Sequence, residues 1–198
     1  MVEQYQRRSA LAHLSLALRT KPMNEFSVTL AESQRRMIIN LRGEGNAFTD
    51  ALYRVAKLHL PKANRVQTQE GFSLFWLGPN EYFLTGPEKS KEEITTQLRM
   101  SLGSTHYALT DLSESRTILR IEGEKARDVL IRGMSIDLHP SVFSQGQCAQ
   151  TSLGKVNVLL HQIDDQPSYE IYVWNSFADY CWRWLEKVSA QFGCKIKV

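Results

Sequence analysis

The residues of this chain whose types could carry chemistry are His13, His59, His106, His139 and His161, the thiols of Cys148, Cys181 and Cys194, the Asp164-Asp165 and Arg35-Arg36 pairs, and Gly43-Glu44-Gly45. A nucleophile needs a base within hydrogen-bond reach. The five histidines are scattered along the chain, and none stands in a local serine or cysteine signature. Cys148 is the best nucleophile by position, after an irregular stretch. Without an identifiable base it reads as a small apolar residue at the start of a strand. Asp164-Asp165 could serve as paired carboxylates or metal ligands, but adjacent side chains diverge, and Asp before Gln166-Pro167 is ordinary turn chemistry. Arg35-Arg36 could hold a phosphate or glutamate carboxylates; the plain alternative is an exposed basic pair at a sheet edge. A dinucleotide cradle requires G-x-G-x-x-G between strand and helix. Here the motif continues as Asn46-Ala47-Phe48, and Glu44 would repel a phosphate, so it reads as a turn. No catalytic, cofactor-binding or metal-binding residue is assigned in this chain.

The elements that position these residues occur twice. Residues 116–133 read as a strand, a glycine turn and a helix, and Arg116-Thr-Ile-Leu-Arg-Ile-Glu-Gly123-Glu124 echoes Arg36-Met-Ile-Ile-Asn-Leu-Arg-Gly43-Glu44 eighty positions earlier. The fold class expected is α+β, with two pseudo-equivalent halves of mainly antiparallel sheet and packed helices. Residues 1–22 form an N-terminal amphipathic arm; residues 23–198 form one domain, its halves at about 26–103 and 104–193. In the arm Leu11, Leu14 and Leu18 recur at helical spacing before Pro22, a stop. Such a stripe suits docking on a partner; the arginine-rich, acid-poor composition is also that of an organellar presequence.

Strands are expected at 26–30 and 36–41, with a helix capped by Asn46 that buries Phe48, Leu52, Val55 and Ala56. An aromatic hairpin over 72–77 and 82–84 follows, turning at Gly78-Pro79-Asn80-Glu81. Both faces of its first strand are apolar, which requires cover on both sides. A helix carrying Ile94, Leu98 and Leu102 closes the first half. The second half offers strands at 106–112 and 116–121, then a helix burying Ala126, Val129 and Leu130. A long irregular loop spans 134–147, strands follow at 147–152, 155–163 and 169–174, and a helix is capped by Ser176 with Asp179 three residues on. Its apolar stripe is expected to run through Phe177, Tyr180, Cys181, Trp184, Leu185, Val188 and Phe192.

Composition excludes several function classes. With 24 Lys+Arg against 21 Asp+Glu, the net charge of +3 gives no nucleic-acid footprint. No apolar run approaches the roughly 18 to 20 residues of a membrane span. Three cysteines without a CxxC pair argue against a disulfide framework or a cysteine zinc site, and a cytoplasmic setting is expected.

The order of elements resembles, in broad plan, the folate-binding domain of the glycine-cleavage aminomethyltransferase superfamily. Residues 111–185 resemble more specifically the gamma-subunit family of heterotetrameric sarcosine oxidases. The resemblance rests on the surroundings of Arg116 and Gly123, on Ser135-Ile-Asp-Leu-His-Pro140, on Cys148-Ala-Gln-Thr151 before Gly154, and on Ser176-Phe-Ala-Asp-Tyr180. The first half agrees more loosely, through Asn40-Leu-Arg-Gly43 and Trp76-Leu-Gly-Pro79-Asn-Glu. The resemblance implies a non-catalytic subunit of a complex that demethylates sarcosine to glycine, forms hydrogen peroxide and captures the one-carbon unit on tetrahydrofolate. It implies alpha, beta and delta partner subunits, with FAD, FMN, NAD and tetrahydrofolate held by those partner chains. The alternative is a free-standing folate-binding protein of the aminomethyltransferase type, which should present a carboxylate beside the folate ring and a cavity through the pseudo-symmetric centre.

Tyr172 and Trp174 lie on the strand face opposite Tyr169, Ile171 and Val173, and Trp182 lies off the expected helix stripe. Surplus aromatics of this kind mark protein contacts. The expected partner interface therefore comprises His139, Phe143 and Gln147 of the long loop together with Trp174 and Trp182.

Overall fold

The computed structural model describes residues 8–19 and 26–197. Pro22 lies outside the described residues. A 3-10 turn at Ala12–Leu14 and α1 (Leu16–Arg19) precede β1 (Val28–Glu32), β2 (Arg36–Gly43), α2 (Gly45–Ala56), β3 (Val66–Gln69), β4 (Phe72–Gly78), β5 (Glu81–Pro87) and α3 (Lys91–Leu102). The sequence of elements then repeats as β6 (Tyr107–Asp111), β7 (Arg116–Glu122), α4 (Ala126–Leu130), β8 (Cys148–Leu153), β9 (Val156–Asp164), β10 (Ser168–Trp174) and α5 (Asn175–Ser189), followed by β11 (Cys194–Lys197).

The chain is a mixed α+β fold with two sheets. One has the order β3-β4-β5-β2-β6, the other β8-β9-β10-β7-β1-β11. By order of elements β2 corresponds to β7, at the eighty-residue offset, and β5 to β10, β4 to β9 and β3 to β8, so the two orders correspond strand for strand. Each sheet takes the first strand of the other half. β1 pairs antiparallel with β7 (Leu30 opposite Ile121), and β6 pairs antiparallel with β2 (Leu109 opposite Leu41). Only β11, parallel to β1, has no counterpart.

Alternation along the strands builds three apolar layers. Met37, Ile39 and Leu41 of β2 meet Phe48 and Leu52 of α2 and Leu98 of α3 on one outside. Leu119, Tyr169, Ile171 and Val173 meet Cys181, Trp182 and Leu185 of α5 on the other. Between the sheets lie Ile38, Phe75, Phe83, Ile118, Cys148, Leu159 and Tyr172. The doubly apolar β4 is thus covered by helices on one side and by the second sheet on the other.

Four expectations are corrected here. Trp182 is wholly buried, while Phe177 and Tyr180 are 47% and 39% exposed. The buried face of α5 is Ala178, Cys181, Trp182, Leu185 and Ser189. Apolar residues occupy most of this helix's circumference, and the small Ala178 and Ser189 select the side that can approach the sheet. The helix begins at Asn175 without a side-chain cap, and Asp179 binds His13 and Arg183 instead of Ser176. Tyr172 is also fully buried, covered by the opposite sheet. The arm docks on its own chain: Leu11 and Leu14 join the core below α5 while Leu18 stays exposed.

The repeated glycines have different reasons for being glycine. Gly123 has φ +118°, and a Cβ there would come within 2.4 Å of the Ser27 carbonyl oxygen. Gly43 lacks a positive φ; a Cβ would meet the Phe48 ring at 2.4 Å.

Candidate functional site

Arg36 and Arg116 each open an interior strand of its sheet, and alternation turns both, with Ile38 and Ile118, toward the space between the sheets. Arg36 reaches across this space. Its Nη1 donates to Glu170 Oε2 at 3.0 Å and its Nη2 to Glu170 Oε1 at 2.5 Å. The hydroxyl of Tyr172 donates to Glu170 Oε2 at 2.8 Å. Glu170 is 3% exposed. Arg36 is therefore no exposed sheet-edge residue: it supplies the counter-charge of a buried carboxylate. Burial pushes the Tyr172 hydroxyl well above its ordinary range, and the adjacent carboxylate adds to this. Nearby, His161 packs edge-on against Phe75 at 5.0 Å, and burial depresses its imidazole to about 4. Its Nδ1 has no hydrogen-bond partner among the described residues.

At the other end of the same space the sheets stand apart, leaving a cleft of about 930 Å³. Asn40, Arg42, Glu81, Phe83 and Thr110 line it from one sheet; Arg116, Gln150, Asn157, Tyr172 and Trp174 line it from the other. Glu81 accepts from Asn40 Nδ2 at 2.9 Å and from Arg42 Nη2 at 3.0 Å. Gln150 donates to the Leu77 carbonyl at 2.7 Å. The Arg116 guanidinium lies 3.5 Å from the centre of the Trp174 ring, with no carboxylate partner among the described residues, and burial lowers it to about 10.

The remaining candidates are not drawn into this cleft as reactive groups. Cys148 is sealed in the inter-sheet core with its Sγ 3.6 Å from the Arg65 and Trp76 carbonyls, and burial raises its thiol to about 12. Cys181 is likewise raised to about 12 by burial. Asp164 and Asp165 turn the β9–β10 hairpin, and Glu44 is held by Asn80 Nδ2 at 2.5 Å. Arg35 donates to the Arg8 carbonyl at 2.7 Å on the surface. One pair absent from the sequence reading is His139 Nδ1 and Ser141 Oγ at 2.7 Å. The Ser141 amide donates to the same nitrogen and Asp137 accepts from the His139 amide, which makes this an exposed loop turn. Among the described residues no cluster of three or more His, Cys, Asp or Glu could hold a metal ion, and no helix is long and apolar enough to cross a membrane.

Of the expected interface residues, His139 and Trp174 are exposed. Phe143 is buried in the core at 5% exposure, because the loop folds back and its amide bonds to the His139 carbonyl. Gln147 is half-buried and turned inward, its Oε1 accepting from the amide and hydroxyl of Ser144. Trp182 is withdrawn for the reason given above. The cleft's own lining was missed; its signal was the repeated arginine, of which Arg36 was weighed with Arg35 as an anion ligand while Arg116 was read only as a mark of duplication.

Comparison with known proteins places this geometry in context. A family model described as "Sarcosine oxidase, gamma subunit family" matches residues 42–191. The sarcosine oxidase subunit gamma of Corynebacterium sp. (strain U-96) is 32% identical over 94% of this chain and 92% of its own length. That of an Arthrobacter species is 29% identical over the same shares. Among solved structures, a chain of the heterotetrameric sarcosine oxidase from Corynebacterium sp. U-96 in complex with pyrrole 2-carboxylate matches with TM-score 0.84, 32% identity and coverage of 94% and 96%. The glycine cleavage system aminomethyltransferase T from Bartonella henselae matches with TM-score 0.64 at 14% identity, covering 94% of this chain and 51% of that one, which is a likeness of fold.

Proposed function

Since the chain belongs to the sarcosine oxidase gamma subunit family, we propose that it is a non-catalytic subunit of a heterotetrameric sarcosine oxidase. In this reading it packs on alpha, beta and delta chains that carry FAD, FMN, NAD and tetrahydrofolate, in an oxidoreductase that demethylates sarcosine with formation of hydrogen peroxide. The observation that carries the reading is the agreement along nearly the whole chain with a subunit of such a complex, at 32% identity and TM-score 0.84. The chemistry of the interior supports a non-catalytic role. Two thiols are raised to about 12, the buried histidine is held neutral, and the inter-sheet carboxylate Glu170 is bound by an arginine and a tyrosine.

The alternative, a free-standing folate-binding protein, draws on the cleft between the sheets. The carboxylate lining that cleft, Glu81, is occupied by Asn40 and Arg42, so none stands free to serve a folate ring. The subunit reading is the better supported.

The interface belongs on the exposed apolar side chains. On α5 these are Phe177 and Tyr180, and on the loop Val142, 54% exposed, stands beside the expected His139. Coexpression with the oxidase chains, followed by gel filtration, tests both levels. The wild-type chain elutes with its partners; F177S/Y180S keeps its circular dichroism but associates about thirtyfold more weakly, as loss of about 2 kcal/mol at an interfacial aromatic pair dictates. Failure of the wild-type chain to co-elute overturns the subunit reading, whereas normal yield of the double variant removes only this face.

A further inference from the structure

The duplication makes Arg116 the counterpart of Arg36, and the strand registers say what should face it. In one sheet Arg36 stands opposite Pro87 and Asn40 opposite Phe83; in the other, Arg116 stands opposite Trp174 and Arg120 opposite Glu170. Glu170, the counter-ion of Arg36, therefore has Phe83 as its equivalent. The carboxylate that would pair Arg116 is a phenyl ring. Arg116 consequently keeps a buried Nε without a hydrogen-bond partner among the described residues, lies over the Trp174 ring with its guanidinium carbon 3.5 Å from the ring centre, and lines the 930 Å³ cleft.

We infer that the cleft between the sheets is a binding site for a small monocarboxylate with a flat apolar body, its carboxylate held by Arg116 and its body placed between Trp174 and Phe83. A guanidinium carries a planar N–H fork, the donor geometry a carboxylate accepts with two parallel bonds, and the indole beside it offers a flat apolar face. The charged groups lining the cleft are Arg42, Glu81 and Arg116. Arg42 and Glu81 neutralise one another, which leaves one positive charge in the cleft, matched by a monoanion. Leu77, Phe83, Leu159 and Trp174 supply apolar wall on both sides, and the volume lies within the range of small-molecule sites. This goes beyond the subunit role, which requires no ligand in this chain.

The test uses the full chain and calorimetry with three probes: naphthalene-2-carboxylate, its neutral carboxamide, and inorganic phosphate. The naphthoate is expected to bind and to shift the Trp174 indole N–H resonance, with the carboxamide and phosphate at least tenfold weaker. R116Q should lose about tenfold or more and R116K an intermediate factor, because lysine keeps the charge but not the fork; W174A should weaken the naphthoate as well. Equal binding of the carboxamide would reduce the site to an apolar slot, and equal binding of phosphate to unspecific anion attraction; either overturns the proposal without any variant needing to fold. The same titration on the assembled complex separates sources. Retained binding supports a free ligand, whereas loss on assembly assigns the Arg116 fork to a carboxylate of a partner chain and overturns the small-molecule site. Because F177S/Y180S reports on assembly alone, the two proposals fail independently.

Discussion

Replacing Arg36 with Met removes the guanidinium that meets Glu170, and the consequence follows from where that carboxylate lies. Glu170 is 3% exposed and accepts both Nη groups of Arg36 together with the Tyr172 hydroxyl. In R36M the hydroxyl remains but the counter-charge is gone. Removing one partner of a buried pair costs about 3–5 kcal/mol, chiefly the penalty of an uncompensated buried charge. The Arg36 side chain is itself 33% exposed, so water shares in the solvation and the expected loss is about 3 kcal/mol, the low end of that range. For a chain of this size each kcal/mol moves the melting temperature by about 2–4 °C, giving a drop of about 6–12 °C. Urea unfolding at pH 7 measures it, and R36M/E170M provides the cycle: with both charges replaced by apolar groups, stability should return to within about 1 kcal/mol of wild type. A loss below about 1 kcal/mol in R36M, or a double variant as damaged as the single one, would refute the claim that this pair closes the space between the sheets.

Three further outcomes are expected. His161 has its folded pKa depressed to about 4 by burial, below the ordinary value near 6.5, so the unfolded chain binds the proton first. The stabilisation is full above about pH 6.5 and is lost as pH falls toward 4, amounting to about 2 kcal/mol between pH 7 and pH 5; the urea midpoint of wild type should fall by that amount relative to that of H161F, which lacks the titration, and a constant difference between the two across that range would refute it. Trp182→Ala should cost about 3–5 kcal/mol as a core truncation, read by thermal unfolding of the isolated chain, and an unchanged melting temperature would restore Trp182 to the surface. Cys148 and Cys181, both buried and raised to about 12, should resist iodoacetamide at pH 8 until urea unfolds the chain, and rapid labelling of either by mass spectrometry would contradict the sealed core.

Much of the fold was legible because its information is local. Glycine turns, alternation over 36–41 and 116–121 and the aromatic hairpin specify strands without reference to distant residues, and each appears in the structure within two or three positions. What was illegible depends on who covers whom. Tyr172 has the pattern of an exposed strand residue, and only the second sheet, brought over it by Phe75 and Phe83 with ring centroids at 5.3 and 5.5 Å, makes it core. Trp182 failed for the opposite reason: with apolar residues around most of α5, periodicity cannot choose a face, and the choice falls to Ala178, whose small side chain permits close approach. β3 and β11 were missed because Val66–Gln69 and Cys194–Lys197 are short and mostly polar; hydrogen bonds to β4 and β1, not hydrophobic pattern, make them strands.

The exchange of first strands gives the duplication a mechanical meaning. β1 completes the sheet whose other strands, apart from the unmatched β11, come from the second half, and β6 completes the sheet of the first. Neither half can form its full sheet without a strand of the other, and Arg36 ties the sheets again by crossing to Glu170. A duplicated chain joined in this way could have closed both ends of the inter-sheet space alike. It closes one, where an arginine meets a glutamate, and leaves the other open, where the equivalent arginine lines the cleft with Phe83 in the place of that glutamate. The asymmetry resides in that single pair of positions. A carboxylate buried beside an arginine serves stability only through that arginine, whereas an arginine lining an open cleft keeps its donors for something from outside the chain.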